Sequence, residues 1–144
     1  LHYPLRRQRQ MCIRDRCELL FFNRTEAAAL LQMPVESSAA DLLKRCKETL
    51  GDVEVVLTLG SAGAWYQRSN ETLFQPALKV KAVDTTAAGD TFVGYFLAAR
   101  QAGLTPSQCL QRAATAAALA VQKFGAASSI PMASEVDGII YQST

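Results

Sequence analysis

The run Val53-Glu54-Val55-Val56-Leu57-Thr58-Leu59, followed by glycines at 60 and 63, constrains the fold more than any other stretch of this chain. The run is rich in β-branched residues and almost wholly apolar, with Glu54 and Thr58 its polar members. That pattern suits a parallel strand covered on both faces inside an α/β sheet. The flanking patterns agree. Upstream, "CELLFF" (17–22) is a second short apolar run that stops at Asn23, and Thr25 to Gln32 predicts a short helix closed by Pro34. A further helix has Ser37 and Ser38 as N-cap candidates, Leu42, Leu43, Cys46 and Leu50 at helical spacing, and Gly51 as its terminator. Downstream, "AWYQR" (64–68) and "TLFQP" (72–76) predict short strands around Ser69-Asn70. Leu78, Val80 and Ala82, alternating with Lys79 and Lys81, predict a strand with one wet face. Phe92, Phe96 and Ala99 then mark a helix ending at Gly103. Thr105-Pro106-Ser107-Gln108 is a capping box with proline at the first helical position, opening a helix through Leu110, Ala113, Ala117 and Val121. A last helix is expected from about Met132. The alternation predicts an α/β fold with a largely parallel sheet.

At 144 residues the chain suffices for one domain or part of one, and no apolar run reaches membrane-spanning length. Cysteines 12, 17, 46 and 109 form no CxxC pair, and His2 is the only histidine. Their spacing fits neither a zinc site nor a disulfide framework, so a reducing cytoplasm is expected. Positive charge is concentrated at one end. Residues 1–16 hold five arginines against one aspartate, and the other 128 residues carry ten basic and twelve acidic side chains. A basic arm on nucleic acid is one reading. The preferred one is a leader foreign to the chain, because "MCIRDR" resembles the translation of a transposon-end sequencing adapter; the native part, 17–144, then begins near Cys17.

The chemistry concentrates in Val83-Asp84-Thr85-Thr86-Ala87-Ala88-Gly89-Asp90-Thr91-Phe92. A helix starting near Thr86 or Ala87 leaves the N–H groups of Ala87, Ala88, Gly89 and Asp90 without intrahelical partners. Those groups and the helix macrodipole together suit an anion. Gly89 and the alanines leave the amides open to a phosphate oxygen. A carboxylate at Asp90 beside such an anion hole could accept a proton from an attacking hydroxyl while the amides stabilise charge on the transferred group. On spacing alone, Asp90 and Thr91 are equally well ordinary first-turn residues.

"DTTAAGDTF" resembles the C-terminal signature of the ribokinase-like, or PfkB, sugar kinases. "NRTE" (23–26) is similar to that family's N-x-x-E, "TLGSAG" (58–63) to its nucleotide-binding turn, and "GAASSIP" (125–131) to its cation-site loop. The four occur in family order from Cys17 to the C-terminus. The resemblance implies a three-layer α/β/α sandwich of which this chain is the C-terminal half. It also implies transfer of phosphate from ATP to a sugar's primary hydroxyl, with Mg²⁺ and an activating K⁺. "KVKAVDTTAAGDTFVG" and "GAASSIP" resemble most the branch that phosphorylates ribose.

Roles follow residue by residue from the resemblance. Asp90 is implied as the base, with Ala87, Ala88 and Gly89 in the anion hole. Asn23 and Glu26 are implied to organise phosphates and Mg²⁺ through water, and Thr58, Leu59, Gly60, Ser61, Ala62 and Gly63 to line the nucleotide. Asp84, Thr86, Ala120, Lys123, Gly125 and Ser129 are implied to surround the monovalent cation, mostly by backbone carbonyls. Without the resemblance, Asn23 is as good a helix cap and Asp84 a loop residue paired with a lysine. Alanine at 114, where relatives often carry a polar residue, removes one expected contact to the nucleotide. The implied partners are ATP and a small sugar, with no nucleic acid or membrane, and the full-length protein is expected to be a homodimer. Since family members are about twice as long, the segment alone is expected to be inactive. Fructokinase-like and adenosine kinase-like activities, and a non-catalytic nucleotide-binding module, remain the competing readings. A P-loop kinase is excluded, because GxxxxGK[ST] is absent.

Overall fold

A computed structural model describes residues 17–142, which divide into two compact units. The first runs to Leu59 and adds Trp65–Leu73; the second takes Gly60–Ala64 and everything from Phe74 onward. The basic leader assigned to residues 1–16 lies outside the described residues.

In the first unit, β1 (Leu19–Asn23) leads without a loop into α1 (Arg24–Leu31), and α2 (Ala39–Leu50) precedes β2 (Glu54–Thr58). β1 and β2 pair in parallel with Leu19 opposite Glu54 and Asn23 opposite Thr58. Ala27, Ala28, Leu31, Leu42, Leu43, Cys46 and Leu50 from the helices close over Val53, Val55 and Leu57. Leu42 is wholly inaccessible, and burying such a side chain contributes roughly 1.5–3 kcal/mol. Cys46 belongs to this core, and burial pushes its thiol up to about 11, so it is a protonated packing residue at neutral pH. Both helix ends follow their sequence signals: Ser38 Oγ accepts from Asp41 N–H, and Gly51 ends α2 at φ 75°. Gln32 closes α1 in the left-handed region at φ 57°.

β3 (Ala64–Arg68) and β4 (Glu71–Gln75) complete a four-stranded sheet in the order β1-β2-β3-β4. Two residues join β3 to β4, with Ser69 at φ 51°, and so short a link permits only antiparallel pairing. The described sheet is therefore mixed, a parallel pair continued by a hairpin. Glu54, the charged residue in the apolar run, is buried within 3.8 Å of the Arg68 guanidinium. Burial, and after it the Glu54 charge, pushes the Tyr66 phenol up to about 12.

The second unit is helical: α3 (Ala88–Gln101), α4 (Pro106–Ala120) and α5 (Ala133–Gln142). α3 buries Thr91, Phe92, Phe96 and Ala99, with the two phenyl rings 6.5 Å apart. α4 buries Ala113, Ala114, Ala116, Ala118 and Ala120, small side chains that let α3 and α5 approach closely. Its capping box forms as expected, Thr105 Oγ1 accepting from Gln108 N–H and Gln108 Oε1 from Thr105 N–H.

The expected strand over 78–82 is absent: residues 76–82 follow an irregular path. Pro76 offers no amide to a ladder, and Val80 and Ala82, expected on the covered face, are exposed. Alternation alone does not make a strand where no described strand pairs with it.

Candidate functional site

The parallel register places Asn23 and Thr58 side by side at the carboxyl ends of β1 and β2, the edge where α/β sheets take ligands. Asn23 also caps α1: its Oδ1 accepts from Glu26 N–H at 2.8 Å, and Glu26 Oε2 accepts from Asn23 N–H at 2.9 Å. The N-x-x-E spacing is thus a full capping box, and both residues remain exposed. One oxygen of each side chain is occupied by the cap. Glu26 Oε1 is left as a single carboxylate donor, which suits a largely hydrated Mg²⁺ rather than a closed protein cage. Among the described residues no three His, Cys, Asp or Glu side chains cluster as metal ligands. Thr58 Oγ1 donates to the Phe22 carbonyl at 3.3 Å, and Leu59 packs on the first unit's core.

Gly60, Ser61 and Ala62 form an exposed 3₁₀ turn. The two glycines around it answer different demands. Gly60 sits at φ 58° with open space where a side chain would be, so its freedom serves the turn and leaves its backbone accessible. Gly63, at φ 117°, lies against another segment: a Cβ would collide with the Gln75 carbonyl oxygen and come within 2.9 Å of Pro76 Cα. Its glycine is required by this crossing.

In the second unit, Asp84 ties two loops together. Oδ1 accepts from the N–H of Thr86 at 2.9 Å and from its hydroxyl, and Oδ2 accepts from Gly125 N–H at 3.1 Å. These bonds, the Thr86 hydroxyl first, hold the Asp84 carboxyl below the usual carboxylate range. The Val121 carbonyl adds a second tie, accepting from Val83 N–H at 2.7 Å and Asp84 N–H at 3.1 Å. Asp84, Thr86 and Gly125 are thus brought together directly. Ala120 and Lys123 join them through a turn in which Lys123 N–H donates to the Ala120 carbonyl at 3.2 Å. Ser129 is buried, its hydroxyl donating to the Ala126 carbonyl at 2.7 Å. The Lys123 ammonium pairs with Glu135 at 3.2 Å, so Lys123 can offer a cation only its carbonyl. Besides the Asp84 carboxylate, whose oxygens already accept from Thr86 and Gly125, the groups left to a cation are backbone carbonyls.

The tie at Asp84 sets the start of α3. No side chain caps Ala87, and Ala88 N–H turns back to the Thr85 carbonyl at 3.2 Å. Of the four amides expected to bind an anion, that of Ala88 is therefore partly engaged. Gly89 has nothing within 4 Å of where a Cβ would be, and Gly89 and Asp90 are both exposed. Ala114 is buried on α4 at 8% exposure. Two residues without a sequence motif also bear on the site: Tyr95 donates to the Pro131 carbonyl at 2.6 Å, and Glu135 accepts from both Lys123 and Met132 N–H. Only the position of Glu135 three residues after Met132, a capping spacing, could have drawn attention to it.

The sequence profile of the pfkB family carbohydrate kinases matches residues 4–133. The ribokinase of Schizosaccharomyces pombe is 44% identical over 131 residues, 85% of this chain and 40% of that protein. An Arabidopsis thaliana ribokinase structure, complexed with ribose and ATP, superposes with a TM-score of 0.82 at 34% identity, over 89% of this chain and 42% of that one. A ribokinase II candidate from E. coli, in complex with ATP and Mg²⁺, gives 0.78 at 26% identity, over 99% and 45%. The chain therefore spans about two fifths of the length of the relatives it matches. Among the described residues, no helix is long and apolar enough to cross a membrane.

Proposed function

Because this chain belongs to the pfkB family of carbohydrate kinases, we propose that it carries the phosphoryl-transfer end of an ATP-dependent sugar kinase, with ribose as the sugar and its primary hydroxyl as the acceptor. The observation that carries the reading is the start of α3, a helix of 14 residues whose first turn has no side-chain cap and presents Gly89 and Asp90 to solvent. Unpaired amides there attract the terminal phosphate. Asp90 takes the proton of the attacking hydroxyl as the bond from that oxygen to the terminal phosphorus forms and the bond from that phosphorus to the bridging oxygen breaks, releasing ADP, while the amides of Gly89 and Asp90 stabilise charge on the transferred group. Because such transfer needs little covalent help from protein, positioning dominates. Asp84 and Gly125 provide it by holding the loop that leads into the helix. Asn23 and Glu26 hold water around the phosphates, and the turn at Gly60–Ala62 receives the nucleotide on its accessible backbone. Glu26 would hold a hydrated Mg²⁺, which would neutralise phosphate charge, and the carbonyls around Asp84 would hold a monovalent cation.

The names of the relatives support ribose over other sugars. The test uses the complete reading frame that contains this chain. With ATP and Mg²⁺ it should phosphorylate ribose in preference to fructose and adenosine. Preference for either alternative would remove ribose from this reading, and ATP binding without any transfer would leave a nucleotide-binding module.

A further inference from the structure

Two side chains outside the motifs, Tyr95 and Glu135, have a role that rests on the reading above: we propose that they are positioning residues, fixing the 121–131 loop against α3 and, through Gly125 and Asp84, the phosphate-binding mouth of that helix.

Twelve residues separate α4 from α5, and their only regular structure is the 3₁₀ turn Ala127–Ser129. Apolar packing does little to fix them. Phe124 is 77% exposed, Ile130 47% and Met132 71%, while Ser129 and Pro131 are the buried residues. The segment's shape therefore rests on polar ties. Glu135, in the first turn of α5, holds both ends: Oε2 accepts from Met132 N–H at 2.7 Å and Oε1 from the Lys123 ammonium at 3.2 Å. Tyr95 supplies the link to α3, its hydroxyl donating to the Pro131 carbonyl at 2.6 Å across 36 residues of sequence. Arg112 of α4 pairs with Asp137 of α5 at 2.6 Å, which keeps Glu135's helix in place. Inside the closed loop lies Gly125, at φ 96° and bonded through its N–H to Asp84. The ties form one circuit, from Tyr95 on α3 through Pro131, Met132, Glu135, Lys123, Gly125 and Asp84 to the residues that begin α3. Tyr95 lies five residues after Asp90 on that same helix. A loop held in this way keeps the Asp84 carboxylate, and so the approach to the amides of Gly89 and Asp90, in one geometry.

The experiment compares the complete reading frame with its Tyr95→Phe and Glu135→Gln variants by amide hydrogen exchange and steady-state kinetics. Loss of one hydrogen bond should speed exchange across 121–131 by about fivefold and leave 106–120 unchanged. KM for ATP should rise several-fold, and kcat at saturating ATP should fall by a smaller factor, since the displaced groups remain present and part of their alignment returns once the phosphate is bound. Acceleration spread evenly over α3, α4 and α5, with a lower kcat and an unchanged KM, would overturn the proposal in favour of general stability. Unchanged exchange in 121–131 would also overturn it. If the unmodified protein phosphorylates no sugar, the kinase reading fails, and the link to phosphate positioning fails with it; the exchange data would then report separately whether the two side chains hold the loop.

Discussion

The capping pair of the first unit and the Asp84 loop of the second are held in opposite ways. In the first, Asn23 and Glu26 bond each other across three residues, and the cap they form would exist in almost any protein with that spacing. In the second, Asp84 reaches Gly125 across 41 residues and Tyr95 reaches Pro131 across 36. The first arrangement is local and belongs to a helix; the second joins separate loops and exists only once α3, α4 and α5 are packed. Geometry that depends on remote ties is the more easily lost, so the chemistry proposed for the second unit should be the more sensitive to distant substitution.

Phe96→Ala tests that dependence hardest. Phe96 is 1% exposed in the packing of α3, and its truncation should cost about 3–5 kcal/mol, read by denaturant melts, with faster exchange at the Gly125 amide. A loss below about 1 kcal/mol, beneath the range for buried aromatics, would mean that the loops do not rest on this core. Asn23→Ala is the local counterpart and should cost about 1 kcal/mol, the usual value of an N-cap, with faster exchange confined to α1. Faster exchange at Gly125 in the same variant would break the contrast.

The smallest effect is a pH dependence. Asp84 and Glu135 are both held below the usual carboxylate range, Asp84 chiefly by the Thr86 hydroxyl and Glu135 chiefly by the Met132 amide. A depressed folded-state value stabilises the fold above the unfolded value and loses that contribution as pH falls through the folded one. Tm should therefore hold steady down to about pH 4 and decline below it. The decline should be shallower in Asp84→Asn, and an identical acid limb in that variant would remove Asp84 from the account of the loop.

What the sequence made legible follows the same division. β2 as a covered strand, the Thr105–Gln108 capping box, Asn23 as a helix cap, Gly51 as a terminator and the core stripe of α3 are carried by short local patterns, and each stands in the structure as read. Alternation at 78–82 suggested a strand because periodicity records which faces could be covered but not whether a partner strand exists. The sheet is mixed rather than largely parallel because the two-residue link at Ser69-Asn70 folds β4 back along β3. Within the candidate site, "GAASSIP" marked the loop, but nothing in its wording shows that Asp84 binds its Gly125 amide or that Lys123 turns to Glu135. Those are tertiary facts, and Tyr95, a single residue on a helix face, has no local pattern to announce it.

Asp90 is the base proposed for the mouth of α3. The direct measurement is ribose phosphorylation by Asp90→Asn in the complete reading frame, with ATP affinity determined by titration calorimetry on the same sample. The amide neighbour keeps the size of the side chain and cannot accept the proton. Turnover should fall by roughly 10²–10⁴-fold, the usual contribution of a positioned base, while ATP binds with little change; turnover within a few-fold of the unmodified enzyme would contradict the assignment.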